Sequence, residues 1–242
     1  MRQVQIYGLV ILGIIFLTFM RKLDFGALKA FDSSYQVRNV FIDLGANKGD
    51  SVLNFLGLQD VAQGGKLSKL FKKDSIASKD WIIYAFEANP YFNDILNSLS
   101  KEIEQKYPHV SFKLYKETAA WTKNGFIDFY VDTVNNNTDF WGSSLNKQHP
   151  DSKRSGGKKV QVACKDIAEI INQYNERDLI VVKMDIEGAE YDLLVDFMQK
   201  DVLRLIDHIA IEFHPFVSPF KRPEDVLQAI IRLYGANFLN WN

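Results

Sequence analysis

The stretch Asn39-Val-Phe-Ile-Asp-Leu-Gly-Ala-Asn-Lys-Gly-Asp-Ser51 restricts the possible folds of this chain more than any other part of it. An apolar run reaches an acid, Asp43; a turn with Gly45, Asn47 and Gly49 follows, and polar residues then open a helix. This order predicts a buried strand feeding a glycine turn beneath a helix N-terminus. Backbone N–H groups and the helix dipole favour negative groups there. Glycine has no Cβ and tolerates positive φ, so a ligand can come close to the backbone. Asp43 at the strand tip limits which ligand that is: it repels a pyrophosphate and suits a positive charge or hydroxyl groups.

The remainder of the chain repeats the strand-then-helix order. Strands are predicted at Val40–Leu44, Trp81–Phe86, Val110–Tyr115, Phe126–Val131, Val160–Cys164, Leu179–Met184, Ile206–Phe213 and, closing the chain, Phe238–Trp241. Helices are predicted at Asp50–Leu58, after the Asn89-Pro90 cap, around Ile167–Tyr174, beyond Asp185–Glu190 with Leu193, Leu194, Phe197 and Met198, and over Pro223–Tyr234. In the helix after Pro90, residues Phe92, Ile95, Leu96, Leu99 and Ile103 share one face and should pack on a sheet. Near-continuous apolar strands imply an α/β fold with a mostly parallel twisted sheet and helices on both faces. Gln59–Lys79 reads as a surface insertion. Asn135–Lys159 is long, polar and basic, which suggests a solvated loop or a cover over the site.

In such sheets ligands bind beyond the carboxyl ends of the strands. The polar residues that follow the apolar runs are Asp43, Glu87, Asp185 with Glu187, and His214. A carboxylate after the second strand can accept both hydroxyls of a ribose, and Glu87 holds that position. Dinucleotide binding requires G-x-G-x-x-G and a Walker loop requires Gly-Lys-Ser or Gly-Lys-Thr after four spacers; the turn Gly45-Ala-Asn-Lys-Gly49 is neither. S-adenosylmethionine fits better, because its sulfonium and ammonium are cationic and its ribose is a diol.

A net charge of −1 gives no electrostatic case for nucleic acid as partner. The one cysteine, Cys164, lies in an alternating run and reads as a core residue. Val4–Met20 carries no charge and, as a helix, would span roughly 26 Å, at the short end for a membrane crossing. Arg21 and Lys22 follow it directly with no small-residue cleavage site, so an uncleaved anchor is expected over a signal peptide. The expected organisation is an anchor at 1–22, a stalk at 23–38 and a domain at 39–242. The flanking basic residues mildly favour a cytoplasmic domain. A short tail followed by an anchor and an enzyme is the usual layout of lumenal Golgi enzymes, so a Golgi or ER lumen-facing domain is expected. Asn136-Asn-Thr138 is a glycosylation sequon that has meaning only in that orientation.

Five blocks, in order, carry a resemblance: Phe41–Gly49, Tyr84-Ala-Phe-Glu-Ala-Asn-Pro90, Ala119-Ala-Trp121 before Gly125 and Phe129–Val131, Gly142-Ser-Ser-Leu145, and Val182-Lys-Met-Asp-Ile-Glu-Gly-Ala-Glu190. On these the chain resembles the FkbM-type S-adenosylmethionine-dependent methyltransferases. The resemblance implies a Rossmann-like class I methyltransferase fold and methyl transfer to a hydroxyl of a sugar or small molecule. It also implies that Asp43, Gly45 and Glu87 hold the cofactor, together with Asn47 and Gly49 of the turn, and that Ala119 or Ala120 lies beside the adenine. Such a reaction depends largely on alignment and gains from a base within reach of the hydroxyl. His214 is the leading candidate. Asp185 and Glu187 are expected to orient the hydroxyl, bind the cofactor amine or ligate a divalent cation; their spacing fixes no coordination geometry. Glu190 reads as a first-turn helix acid, and Glu212 as either a site residue or a member of an ion pair.

Overall fold

A computed structural model describes residues 35–57, 80–135, 137, 139–214 and 223–241. The anchor Val4–Met20, the insertion Gln59–Lys79 and the sequon positions Asn136 and Thr138 lie outside the described residues. Among those that are described, no helix is long and apolar enough to cross a membrane.

From Val37 onward the chain forms one compact unit. Its strands are β1 (Asn39–Leu44), β2 (Trp81–Glu87), β3 (Val110–Lys116), β4 (Thr118–Trp121), β5 (Gly125–Tyr130), β6 (Lys159–Asp166), β7 (Leu179–Met184), β8 (His208–Ile211) and β9 (Asn237–Asn240). The helices are α1 (Asp50–Phe55), α2 (Asn93–Lys106), α3 (Pro150–Arg154), α4 (Ile167–Ile171), α5 (Glu190–Gln199) and α6 (Pro223–Leu233). A six-stranded sheet runs in the order β3-β2-β1-β7-β8-β9, and every neighbouring pair in it is parallel. Strand order reverses between β1 and β7. That crevice is where an open α/β sheet receives its ligand.

The sheet is buried on both faces. Phe41, Ile83, Ala85 and Val181 pack with Val52 and Phe55 of α1 and with Leu96, Leu99 and Ile103 of α2. Phe55 stacks on Phe41, with ring centroids 4.2 Å apart, and meets Trp81 edge-on. The alternate residues Val40, Ile42, Ile180 and Val182 are equally buried, as a parallel sheet covered on both sides requires. Asn89 caps the 3-10 turn Pro90–Phe92 by accepting the Tyr91 N–H, and α2 continues from it. Ile95 departs from the expected core face and is largely exposed. The strand expected at Ile206–Phe213 is confined to β8, with a 3-10 turn at Leu203–Leu205 leading into it.

A second sheet, β4-β6-β5, was not anticipated. In it β4 runs parallel and β5 antiparallel to β6. Ala119, Phe129, Val162 and the buried Cys164 form its small core. It sets Ala119 and Ala120 at the mouth of the crevice. Within Asn135–Lys159, expected as a solvated loop or a cover, the stretch around Pro150–Arg154 forms α3. Ser152 and the cap His149 are buried there, and Gly142 lies so close to Asp151 that a Cβ would come within 2.2 Å of it.

Candidate active site

The β1 tip is held by its neighbours before any ligand is considered. In the parallel register Asp43 stands opposite Lys183. Lys183 Nζ donates to the Gly45 carbonyl at 2.6 Å and lies 3.3 Å from Asp43 Oδ1 and 3.8 Å from Asp185 Oδ2. Ser51 Oγ donates to the other oxygen of Asp43. Burial pulls the Lys183 pKa down, but the Asp43 and Asp185 carboxylates outweigh it and leave the pKa above the usual lysine value. Asp43 is fully buried. It therefore braces the turn from behind the cavity wall, which corrects the expectation of direct ligand contact.

The glycine turn is likewise no phosphate cradle. The Gly45 and Ala46 N–H groups both donate to the Phe86 carbonyl, and the Gly49 N–H donates to Ala46. The Asn47 N–H donates to Glu87 Oε2 at 2.7 Å, with Asn47 itself at φ 51°. These four turn donors are engaged within the protein and are not available to a phosphate. Gly49 is needed for packing: a Cβ there would meet Leu99 Cδ2 at 2.1 Å. Gly45 has φ +82°, and its missing Cβ leaves room for the Asp185 carbonyl.

Glu87, at the tip of β2, accepts the Asn47 N–H on Oε2 and the Asn89 N–H on Oε1, both at 2.7 Å. Burial raises its pKa to about 7 even though both backbone donors act in the opposite sense. Its carboxylate has lone pairs left and sits at the edge of a cavity of about 460 Å³. Of the residues that the sequence singles out, Gly45, Asn47, Glu87, Ala119, Ala120, Asp185 and Glu187 line this cavity, while Asp43, Gly49 and His214 stand behind its wall. Six carboxylates line it (Asp50, Glu87, Asp139, Asp185, Glu187 and Glu212) against one lysine, Lys183. That lysine is already engaged.

Beyond β7 the chain turns through Asp185–Glu190, with Glu187 at φ 54°. Glu190 is more than a first-turn acid. It is fully buried and accepts the N–H groups of Ile186 and Gly188, at 3.0 and 2.9 Å. His214, beyond β8, places Nδ1 3.0 Å from Glu190 Oε1 and Nε2 3.3 Å from Glu187 Oε2. Burial lowers the imidazole pKa, but the Glu190 hydrogen bond and the charges of Glu190, Glu187 and Asp185 prevail and carry it to about 9. At neutral pH the ring is therefore an imidazolium, able to accept a proton only after releasing one. Burial also raises Asp185, Glu187 and Glu212.

One residue of the site, His149, escaped the sequence reading, and a second, Ser144, stood there only within the Gly142–Leu145 block. His149 reaches Glu187 Oε2 with Nε2 at 3.1 Å, and Ser144 Oγ donates to the Glu187 carbonyl at 2.6 Å. Together they fasten the 131–158 segment onto the turn after β7. Lys48 pairs with Asp139 of the same segment, and Asn89 Nδ2 reaches Ser143 Oγ.

The family model for the methyltransferase FkbM domain matches residues 43–238. No curated protein sequence and no solved structure matches the chain.

Proposed function

The chain belongs to the FkbM methyltransferase family, and from that premise we propose that it uses S-adenosylmethionine to methylate a hydroxyl group of a glycan. One observation carries the cofactor: Glu87, held by two backbone donors at the tip of β2, offers its remaining lone pairs to a ribose diol. The acidic lining agrees, because a sulfonium and an ammonium gain from carboxylates where a phosphate would be repelled. Engagement of the turn N–H groups within the protein also disfavours a phosphate-led ligand. Ala119 and Ala120 present a small apolar surface at the cavity, which suits an adenine face.

The methyl group already sits on a good leaving group, so the protein must chiefly align an oxygen with it. We place the acceptor hydroxyl against Asp185 and Glu187, whose carboxylates can take its proton, with His214 behind them holding both in position. The uncharged stretch Val4–Met20 supports membrane attachment, and the layout of a short tail, an anchor and an enzyme supports a lumen-facing domain, in which the Asn136 sequon could be used. The basic flank Arg21, Lys22 and Lys29 favours a second reading, in which a cytoplasm-facing enzyme methylates a lipid or small-molecule hydroxyl.

The test is transfer of labelled methyl from S-adenosylmethionine to glycans, compared with the same glycans whose hydroxyls are already blocked. Label should enter only the free-hydroxyl set. His214→Ala should slow turnover by roughly 100-fold, because the carboxylates that handle the proton lose their positioning, and leave cofactor affinity within about twofold. Equal labelling of blocked and free glycans would reject hydroxyl methylation, and unchanged turnover would remove His214 from the acceptor site.

A further inference from the structure

The position of His214 Nε2 needs an explanation. A carboxylate only accepts hydrogen bonds, so the 3.0 Å contact with Glu190 fixes a hydrogen on Nδ1. Nε2 then faces Glu187 Oε2 at 3.3 Å, with Asp185 Oδ1 and Glu212 Oε1 each at 4.0 Å. At that point the ring carries a proton, as the imidazolium, or a metal ion in its place.

The surroundings favour the ion. His214 has its outer partner in the fully buried Glu190, whose other contacts tie it to the backbone of the same turn. Glu187 has an outer partner too. His149 Nδ1 accepts the Asp151 N–H at 3.1 Å, so its Nε2 carries the hydrogen and donates it to Glu187 Oε2. Two residues that converge on one point, each oriented from behind by a separate group, form the pattern of metal ligands with outer-shell support. One donor atom each from Asp185, Glu187 and His214 lies within 4.8 Å of the others. Small side-chain rotations would bring such a set around an ion at roughly 2.1 Å. Asp185 and Glu187 also open onto the cavity, where further oxygens can approach.

We infer that Asp185, Glu187 and His214 hold a divalent cation of the magnesium or manganese class. Two carboxylates and one imidazole suit manganese, since oxygen ligands select hard cations and a nitrogen is tolerated. Three protein ligands leave coordination positions open for water or for acceptor oxygens. Under the methyl-transfer reading above, on which only this last role rests, the ion would hold the acceptor hydroxyl and lower the cost of its deprotonation.

The test uses the full-length protein, stripped with a chelator and titrated with Mn²⁺ under electron paramagnetic resonance. The wild type should bind one Mn²⁺ and show nitrogen coupling from an imidazole. His214→Ala should abolish that coupling, and Glu187→Gln should weaken binding at least tenfold. Glu190→Gln, which keeps the ligands and alters only the outer shell, should weaken binding by about 10- to 100-fold. Thermal unfolding of each variant separates lost sites from lost folds. Absence of Mn²⁺ binding by the wild type overturns the proposal, as does nitrogen coupling that persists in a folded His214→Ala protein. Neither result bears on cofactor binding, which is measured separately.

Discussion

Replacing Lys183 by methionine should destabilise the domain by roughly 3–5 kcal/mol, the usual cost of removing one partner from a buried ion pair. Lys183 is 3% exposed and Asp43 is 0% exposed, so neither charge can turn to water when the other is removed. Methionine matches the length of the stem but strips Asp43 of the ammonium opposite it, and the Gly45 carbonyl of its 2.6 Å donor. Urea denaturation should show the midpoint fall with little change in slope. The double variant Lys183→Met/Asp43→Asn should recover part of the loss, because its buried group is no longer charged. A single variant as stable as the wild type would mean that the lysine does not compensate Asp43.

Gly45→Ala should be comparably damaging. At φ +82° an alanine incurs left-handed strain of about 1–2 kcal/mol. Its Cβ would also lie 1.9 Å from the Asp185 carbonyl oxygen, which is backbone and cannot rotate aside. Relief requires the tips of β1 and β7 to part, and that crevice is where the cofactor is placed. Overpacking of this kind adds about 1–3 kcal/mol, so a total of about 2–5 kcal/mol is expected, with cofactor binding lost. Gly156→Ala provides the control: its φ is +72°, but nothing stands within 4 Å of the new Cβ. It should lower stability by the strain alone and leave binding intact. Equal effects from the two substitutions would show that crowding at Asp185 is unimportant.

Residues whose positions depend only on their own strand tip were legible in the sequence. Glu87 and Asp185 follow apolar runs directly, and the fold places each at the carboxyl end of its strand beside the reversal in strand order. What the sequence did not reveal depends on who the neighbours are. Asp43 changes from ligand contact to brace because β7 lies beside β1 and sets Lys183 opposite it, and no local pattern states that strand order. The lysine in Leu179-Ile-Val-Val-Lys-Met184 was itself a signal, since a charge inside a buried strand calls for a partner. His149 left a fainter one. It sits in a polar, basic segment that reads as solvated, and its partner Glu187 lies 38 residues further on. Only the Pro150 that follows it hinted at a helix cap. The second sheet was hidden because β4 is four residues long and its pairing with β6 spans a long separation in sequence.

The central claim is that S-adenosylmethionine lies between the β1 turn and Glu87, and calorimetry on the full-length protein tests it most directly. Binding at one site per chain is expected, and Glu87→Ala should weaken it roughly 100-fold, through loss of two hydrogen bonds to a charged acceptor. With the Glu87 pKa at about 7, the carboxylate that accepts the ribose hydroxyls dominates above that pH and the protonated acid below it. Affinity should therefore rise by about tenfold between pH 6 and pH 8, with proton release on binding near neutrality, and Glu87→Ala should abolish that slope. Absence of S-adenosylmethionine binding by the folded wild type, or binding that Glu87→Ala leaves unchanged, would contradict this account.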